Sequence, residues 1–119
     1  MKSATILVID EQESVRMVLR RALEDAGHQV AEAANGRQGL ELFRATPADL
    51  VITDLAMPEM GGRELILELT RAFLDVKVIA MSGVDPELQA AKLLGARHIF
   101  QKPFDLQALL SAVQYELTH

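Results

Sequence analysis

The chain has 119 residues, half of them apolar, with a formal net charge of −5 and no cysteine. That supports one compact domain with a substantial core and excludes disulfides, thiol catalysis and cysteine-ligated zinc. An acidic balance without a block of like charge argues against a polyanion-binding surface and direct nucleic-acid contact, and no apolar run approaches the roughly 20 residues that span a bilayer.

The N-terminal residues run straight into a strand pattern, without the layout of a signal peptide. With the absence of cysteine this fits a cytoplasmic protein. Thr5–Ile9 is a fully apolar, β-branched run that ends on Asp10-Glu11. Val15, Val18, Leu19, Ala22, Leu23 and Ala26 recur at helical spacing and predict an amphipathic helix over 13–26, stopped by Gly27. Gln29–Ala33 reads as a short strand and Asn35-Gly36 as a turn. Leu40, Leu42 and Phe43 then predict a second helix to about Ala45.

Residues 50–52 form a short run rich in Val and Ile, which reads as a strand buried on both faces, and Asp54 stands at its end. The following Leu55-Ala56-Met57-Pro58-Glu59-Met60-Gly61-Gly62 reads as a loop, because Pro and paired Gly punctuate turns. Leu65, Ile66, Leu69, Ala72 and Phe73 predict a third helix. Residues 76–81 form the fourth strand, ending at Ser82-Gly83. Asp85 is placed to cap a fourth helix over 86–94, with Pro86 at its first position and Gly95 after its end. Residues 97–101 give a fifth strand, followed by Lys102-Pro103-Phe104. Asp105 caps a last helix whose stripe is Leu106, Leu109, Leu110, Val113 and Leu117.

Strand and helix alternate five times, which predicts a doubly wound α/β fold: a five-stranded parallel sheet with right-handed crossovers and five helices. Strands one, three and four are the most apolar and belong in the centre. The flavodoxin-like order 2-1-3-4-5 satisfies this and puts the switch point between strands one and three. We expect one domain over 1–119, with no output domain.

In such a sheet the C-terminal strand ends share one edge, where ligands bind. Reading those ends gives Asp10-Glu11, Asp54, Ser82 and Lys102. Taken singly, each has an ordinary explanation: acids complementing a helix dipole, a turn serine, a solvated strand-end lysine. Together they are a chemical set. Three carboxylates repel and raise one another's pKa unless compensated, and a hard divalent cation with oxygen ligands compensates them. Mg²⁺, held by few carboxylates plus water and a phosphate oxygen, suits the set. A carboxylate beside such a metal and a lysine is suited to phosphoryl transfer.

The chain resembles the receiver domain of two-component response regulators over essentially its whole length. The resemblance lies in Ile6-Leu7-Val8-Ile9-Asp10-Glu11, in Asp54 with Met57-Pro58, Met60 and Gly62, in Met81-Ser82-Gly83, in Gly95-Ala96 and in Lys102-Pro103-Phe104. It implies that Asp54 is the phosphoacceptor, that Ser82 is the switch hydroxyl and that Lys102 contacts the phosphoryl group. It implies a Mg²⁺ site formed by Asp10, Glu11, Asp54 and the backbone carbonyl of Ala56. It also implies a cis Lys102–Pro103 bond, since X–Pro is where cis is cheap, about 0.5–1 kcal/mol. The implied partners are a sensor histidine kinase or a histidine phosphotransfer protein as donor, and a downstream protein target. The implied role is a phosphoacceptor signalling domain rather than an enzyme in its own right, monomeric or dimerising on phosphorylation, and signalling through its helix 4, strand 5 and helix 5 face.

Two departures from the family pattern stand out. The second acid is Glu11 where Asp is usual, and the extra methylene is expected to alter Mg²⁺ affinity without abolishing binding. Ile99 occupies the position of a switching aromatic; Phe100 is adjacent, but strand alternation points it to the other face. The family also tunes hydrolysis two residues beyond the phosphoacceptor and the switch hydroxyl. Those positions are Ala56 and Val84, and neither can hydrogen-bond an attacking water, so self-dephosphorylation is expected to be slow. Three rivals fit less well. A phosphohydrolase of the haloacid-dehalogenase type needs an acid where Ala56 stands. A flavin-mononucleotide carrier needs a phosphate loop where Asp10-Glu11-Gln12-Glu13 would repel phosphate. A non-phosphorylated interaction module would have no use for the full set of acids, hydroxyl and lysine.

Overall fold

The computed structural model describes residues 3–57, 59–83 and 85–119. Met1, Lys2, Pro58 and Val84 lie outside the described residues, Val84 with the tuning role expected of it.

The elements run β1 (Thr5–Ile9), α1 (Glu13–Asp25), β2 (Gln29–Ala33), α2 (Gly36–Ala45), β3 (Leu50–Asp54), α3 (Gly62–Ala72), β4 (Val78–Ser82), α4 (Asp85–Leu93), β5 (His98–Gln101) and α5 (Leu106–Thr118). All strand pairs are parallel, in the order β2-β1-β3-β4-β5. The three most apolar strands are central, as expected. Every residue of β3 and of β4 is buried.

Strand alternation divides the core in two. Leu7, Ile9, Val51, Val78 and Ala80 face α2, α3 and α4, meeting Phe43, Leu65, Ile66, Leu69 and Leu88. Ile6, Val8, Leu50, Ile52, Ile79 and Met81 face α1 and α5, meeting Leu19, Leu23, Leu109 and Val113. Ile99 packs into the first cluster and Phe100 into the second, so the two neighbours point opposite ways, as alternation requires.

Local chemistry accounts for the element ends. Gly27 and Gly95 follow helices with φ of +95° and +116°, which glycine adopts without a Cβ penalty. The Asp105 side chain accepts from the backbone N–H groups of Gln107 and Ala108. Asn35 is more than a turn residue: its side chain accepts from Gln38 N and caps α2, so Gly36 is the first helical residue. The helix α4 begins at Asp85, one residue before the expected start. The apolar stripe of α1 is narrower than its periodicity suggested. Leu19 and Leu23 are buried, but Val18 is exposed, as is Leu42 on α2. The Lys102–Pro103 bond is cis. Among the described residues, no helix is long and apolar enough to cross a membrane.

Candidate functional site

The parallel topology brings four strand ends to one edge. Asp10 follows β1, Asp54 closes β3, Ser82 closes β4 and Lys102 follows β5. Backbone bonds tie these ends laterally: Asp10 N donates to Ala33 O at 3.1 Å, Leu55 N to Met81 O at 2.9 Å and Lys102 N to Ser82 O at 2.8 Å. Asp10 and Ser82 are fully buried and Asp54 is only 6% exposed.

Lys102 unites two of the acids. Its ammonium donates to Asp10 Oδ2 at 2.8 Å and lies 3.4 Å from Asp54 Oδ1. The other oxygen of Asp10, Oδ1, accepts the backbone N–H of Gln12 at 2.8 Å. One ammonium serves two buried carboxylates, so the pair is under-compensated. The Asp54 carboxyl is accordingly pushed above the usual carboxylate range, first by burial and then by the charge of Asp10, against the opposing pull of Lys102.

The rim differs from the floor. Glu11 and Ala56 are both exposed, and among the described residues no group of three His, Cys, Asp or Glu side chains gathers around one point. The buried acids here are two, Asp10 and Asp54, with Glu11 at the edge. The donor chemistry still suits a hard cation: the groups at this edge are oxygens, two of them on buried carboxylates with one positive charge between them. Mg²⁺ takes one or two carboxylates and completes its shell with other oxygens. The residues that would hold it are Asp10, Asp54, Glu11 at the rim and the carbonyl of Ala56.

Sequence reasoning did not single out Arg16. Its side chain reaches back from α1 to the carbonyl of Asp10 at 2.7 Å. A signal was available, since a cation in the opening turns of a helix opposes the dipole and wants another reason to be there.

A family model described as the response regulator receiver domain matches residues 6–114. The chain belongs to this family. It is 34% identical over 116 residues to sporulation initiation phosphotransferase F of Bacillus subtilis, covering 96% of this chain and 94% of that protein. It is 36% identical over 119 residues to the DNA-binding transcriptional regulator NtrC of Azospirillum brasilense, covering 98% of this chain. The receiver spans only 25% of that second relative's length. Among solved structures, a putative response regulator from Chloroflexus aurantiacus superposes with a TM-score of 0.92 at 26% identity, over 99% of this chain and all of that one.

Proposed function

We propose that this receiver accepts a phosphoryl group on Asp54 from a phosphohistidine donor, carried by a sensor histidine kinase or a histidine phosphotransfer protein. The observation that carries this reading is the arrangement of Asp54 itself. It is a nearly buried carboxylate at the end of β3, its pKa raised, 3.4 Å from an ammonium that a second buried carboxylate holds in place.

In the step proposed, an ionised Asp54 oxygen attacks phosphorus and forms the acyl phosphate. The bond from phosphorus to the histidine nitrogen breaks, and the imidazole leaves with the electron pair. A raised pKa marks a more basic carboxylate, hence a better nucleophile once ionised. The Lys102 ammonium, already directed at Asp54, stabilises charge on the equatorial oxygens. Bound Mg²⁺ would supply further neutralisation of that charge. The Ser82 hydroxyl, at the end of the neighbouring strand, serves as the donor that moves onto a phosphoryl oxygen.

That movement is the proposed signal. Phosphorylation replaces the single carboxylate charge with an acyl phosphate of about −1.5 to −2, a net gain of up to about one negative charge, and brings new acceptor oxygens to Asp54. Ser82 is followed by exposed Gly83, which lets the loop into α4 shift. Ile99, β-branched and packed in the first core cluster, cannot swing as an aromatic ring does. The output surface on this reading is the face of α4, β5 and α5, reached mainly through backbone shifts near Gly83.

The test is incubation with acetyl phosphate and Mg²⁺, followed by intact mass and site mapping. One acid-labile phosphoryl group should appear, map to Asp54 and vanish both in Asp54→Asn and with chelator. Equal labelling of the variant refutes the assignment.

A further inference from the structure

We propose that Arg16 is a positioning residue for the acidic turn, anchored by Glu32, and that it sets the affinity with which Asp10 and Glu11 take a divalent cation. The inference rests on the Mg²⁺-dependent reading above. The carrying observation is one guanidinium that touches both acids' backbone and a third acid at once.

Arg16 is the fourth residue of α1, and its side chain is only 14% exposed. Its Nη1 donates to the carbonyl of Asp10 at 2.7 Å and to that of Glu11 at 3.4 Å. Its Nε donates to Glu32 Oε1 at 3.0 Å. Glu32 stands on β2 opposite Val8 of β1, so its backbone is fixed by the sheet. Its other oxygen, Oε2, accepts from Arg20 Nη1 at 2.6 Å, and Arg20 Nε in turn donates to Glu24 at 3.1 Å. These arginines hold the Glu32 carboxyl below its usual range, Arg20 contributing most against the opposing effect of burial. The chain of contacts runs from the sheet through Glu32 and Arg16 to the turn that carries the two acids.

The chemistry requires arginine. A planar fork can serve two carbonyls and a carboxylate together, whereas a lysine ammonium is a point charge on a flexible stem. The local helix gains nothing from a cation here, because its N-terminal end is already the positive end of the dipole.

The two acids depend on Arg16 unequally. The Asp10 carboxylate has its own partners in Gln12 N and Lys102. The Glu11 side chain is exposed, so its approach to the site is set by the backbone that Arg16 holds. Losing an outer partner of this kind typically costs about 10–100-fold in metal affinity.

The test is a Mg²⁺ titration of the full chain, followed by backbone amide shifts at Gln12 and Leu55, on the parent, Arg16→Ala, Arg16→Lys and Arg20→Ala. Arg16→Ala should weaken Mg²⁺ about 10-fold or more. Arg20→Ala removes a comparable ion pair from the same Glu32 yet leaves the turn alone, and should stay within about twofold of the parent. Arg16→Lys should recover part of the affinity. Acetyl phosphate labelling of Arg16→Ala should return towards the parental rate at saturating Mg²⁺. A parental Mg²⁺ affinity in Arg16→Ala, or an equal loss in Arg20→Ala, overturns the proposal. If Arg16→Ala does not fold, Glu32→Gln keeps the arginine and loosens its anchor. A weaker Mg²⁺ affinity there supports the role, and an unchanged one overturns it. A parent that binds no Mg²⁺ fells the metal reading as well, whereas a normal parent with an indifferent Arg16→Ala fells this inference alone.

Discussion

Substituting Gly62 by alanine should damage the loop that follows Asp54, while the same change at Gly61 should not. Gly62 opens α3, is buried, and donates its N–H to Leu55 O at 3.0 Å. A Cβ built on it would lie 2.6 Å from Leu55 Cα, 2.6 Å from Leu55 Cδ2 and 2.7 Å from Asp54 O. All three are closer than the 3.0 Å below which real Cβ atoms are essentially never found. Two of the three are backbone atoms and cannot swing aside. Either α3 or the Asp54-Leu55 backbone must move by the better part of an ångström. Overpacking of this kind costs about 1–3 kcal/mol, and backbone atoms place it toward the upper end. At about 4 °C per kcal/mol for a domain of this size, the melting temperature should fall by roughly 4–12 °C.

Gly61 is the internal control. Among the described residues a Cβ there would meet only Leu55 O, at 3.6 Å, an ordinary contact. Its φ of −72° suits any residue. Gly61 is the N-cap of α3, where alanine is the poorer residue, so Gly61→Ala should change stability by no more than about 1 kcal/mol, the lost freedom in the unfolded chain offsetting the weaker cap. Thermal melts by circular dichroism give the stabilities, and acetyl phosphate labelling reports the displacement of Asp54. Labelling should slow in Gly62→Ala and hold in Gly61→Ala. A Gly62→Ala protein that melts with the parent, or a Gly61→Ala protein that suffers as much, refutes the close-approach argument.

Asp54→Asn should raise the melting temperature in metal-free buffer, because burial and the charge of Asp10 both oppose ionised Asp54; a lower melting temperature would mean that the Lys102 attraction outweighs them. Glu32→Gln should cost on the order of 1 kcal/mol at neutral pH. The Glu32 carboxyl is lowered in the fold, so its contribution is complete above the unfolded value of about 4.3 and is lost as pH falls through the folded value; the gap between parent and variant in denaturant melts should close under acid. Ala56→Asn should accelerate loss of the phosphoryl group from Asp54, since Ala56 is exposed at the site rim and its side chain cannot orient a water; a decay rate equal to the parent's would show that this position does not govern the lifetime.

The strand ends were legible because they depend on local pattern and topology alone. Short apolar runs ending in Asp10, Asp54, Ser82 and Lys102 fix which residues share an edge, whatever the side chains then do. The opposite facing of Ile99 and Phe100 followed from strand periodicity in the same way. What stayed hidden depends on distance in space. The Gly61-Gly62 pair reads as turn chemistry, yet Gly62 is there because β3 and α3 meet too closely for a Cβ. Arg16 carries only a slight hint in the sequence, a cation in the opening turns of α1, and its reach to Asp10 and Glu32 emerges only in space. Val18 looked like core by spacing, but α1 buries just Leu19 and Leu23. Hydrophobic periodicity gives the direction of a stripe and not its width.

On the proposed function, the lateral bonds that build the site would also give the signal a route outward. Leu55 N, directly after Asp54, is held by Met81 O of β4, and Lys102 N is held by Ser82 O. Ser82 is thus tied through its own carbonyl to the backbone of the lysine that faces Asp54. If Ser82 moves toward a phosphoryl group, its carbonyl draws on Lys102, and the C-terminal end of β5 must respond together with the loop into α4. Ile99 and Phe100 lie on that strand and pack against opposite core clusters, one on the side of α2, α3 and α4 and the other on the side of α1 and α5. On that reading a displacement of β5 would reach both sides of the sheet without any single side chain having to swing. The backbone ties would then supply coupling that does not depend on the Ile99 side chain changing its rotamer.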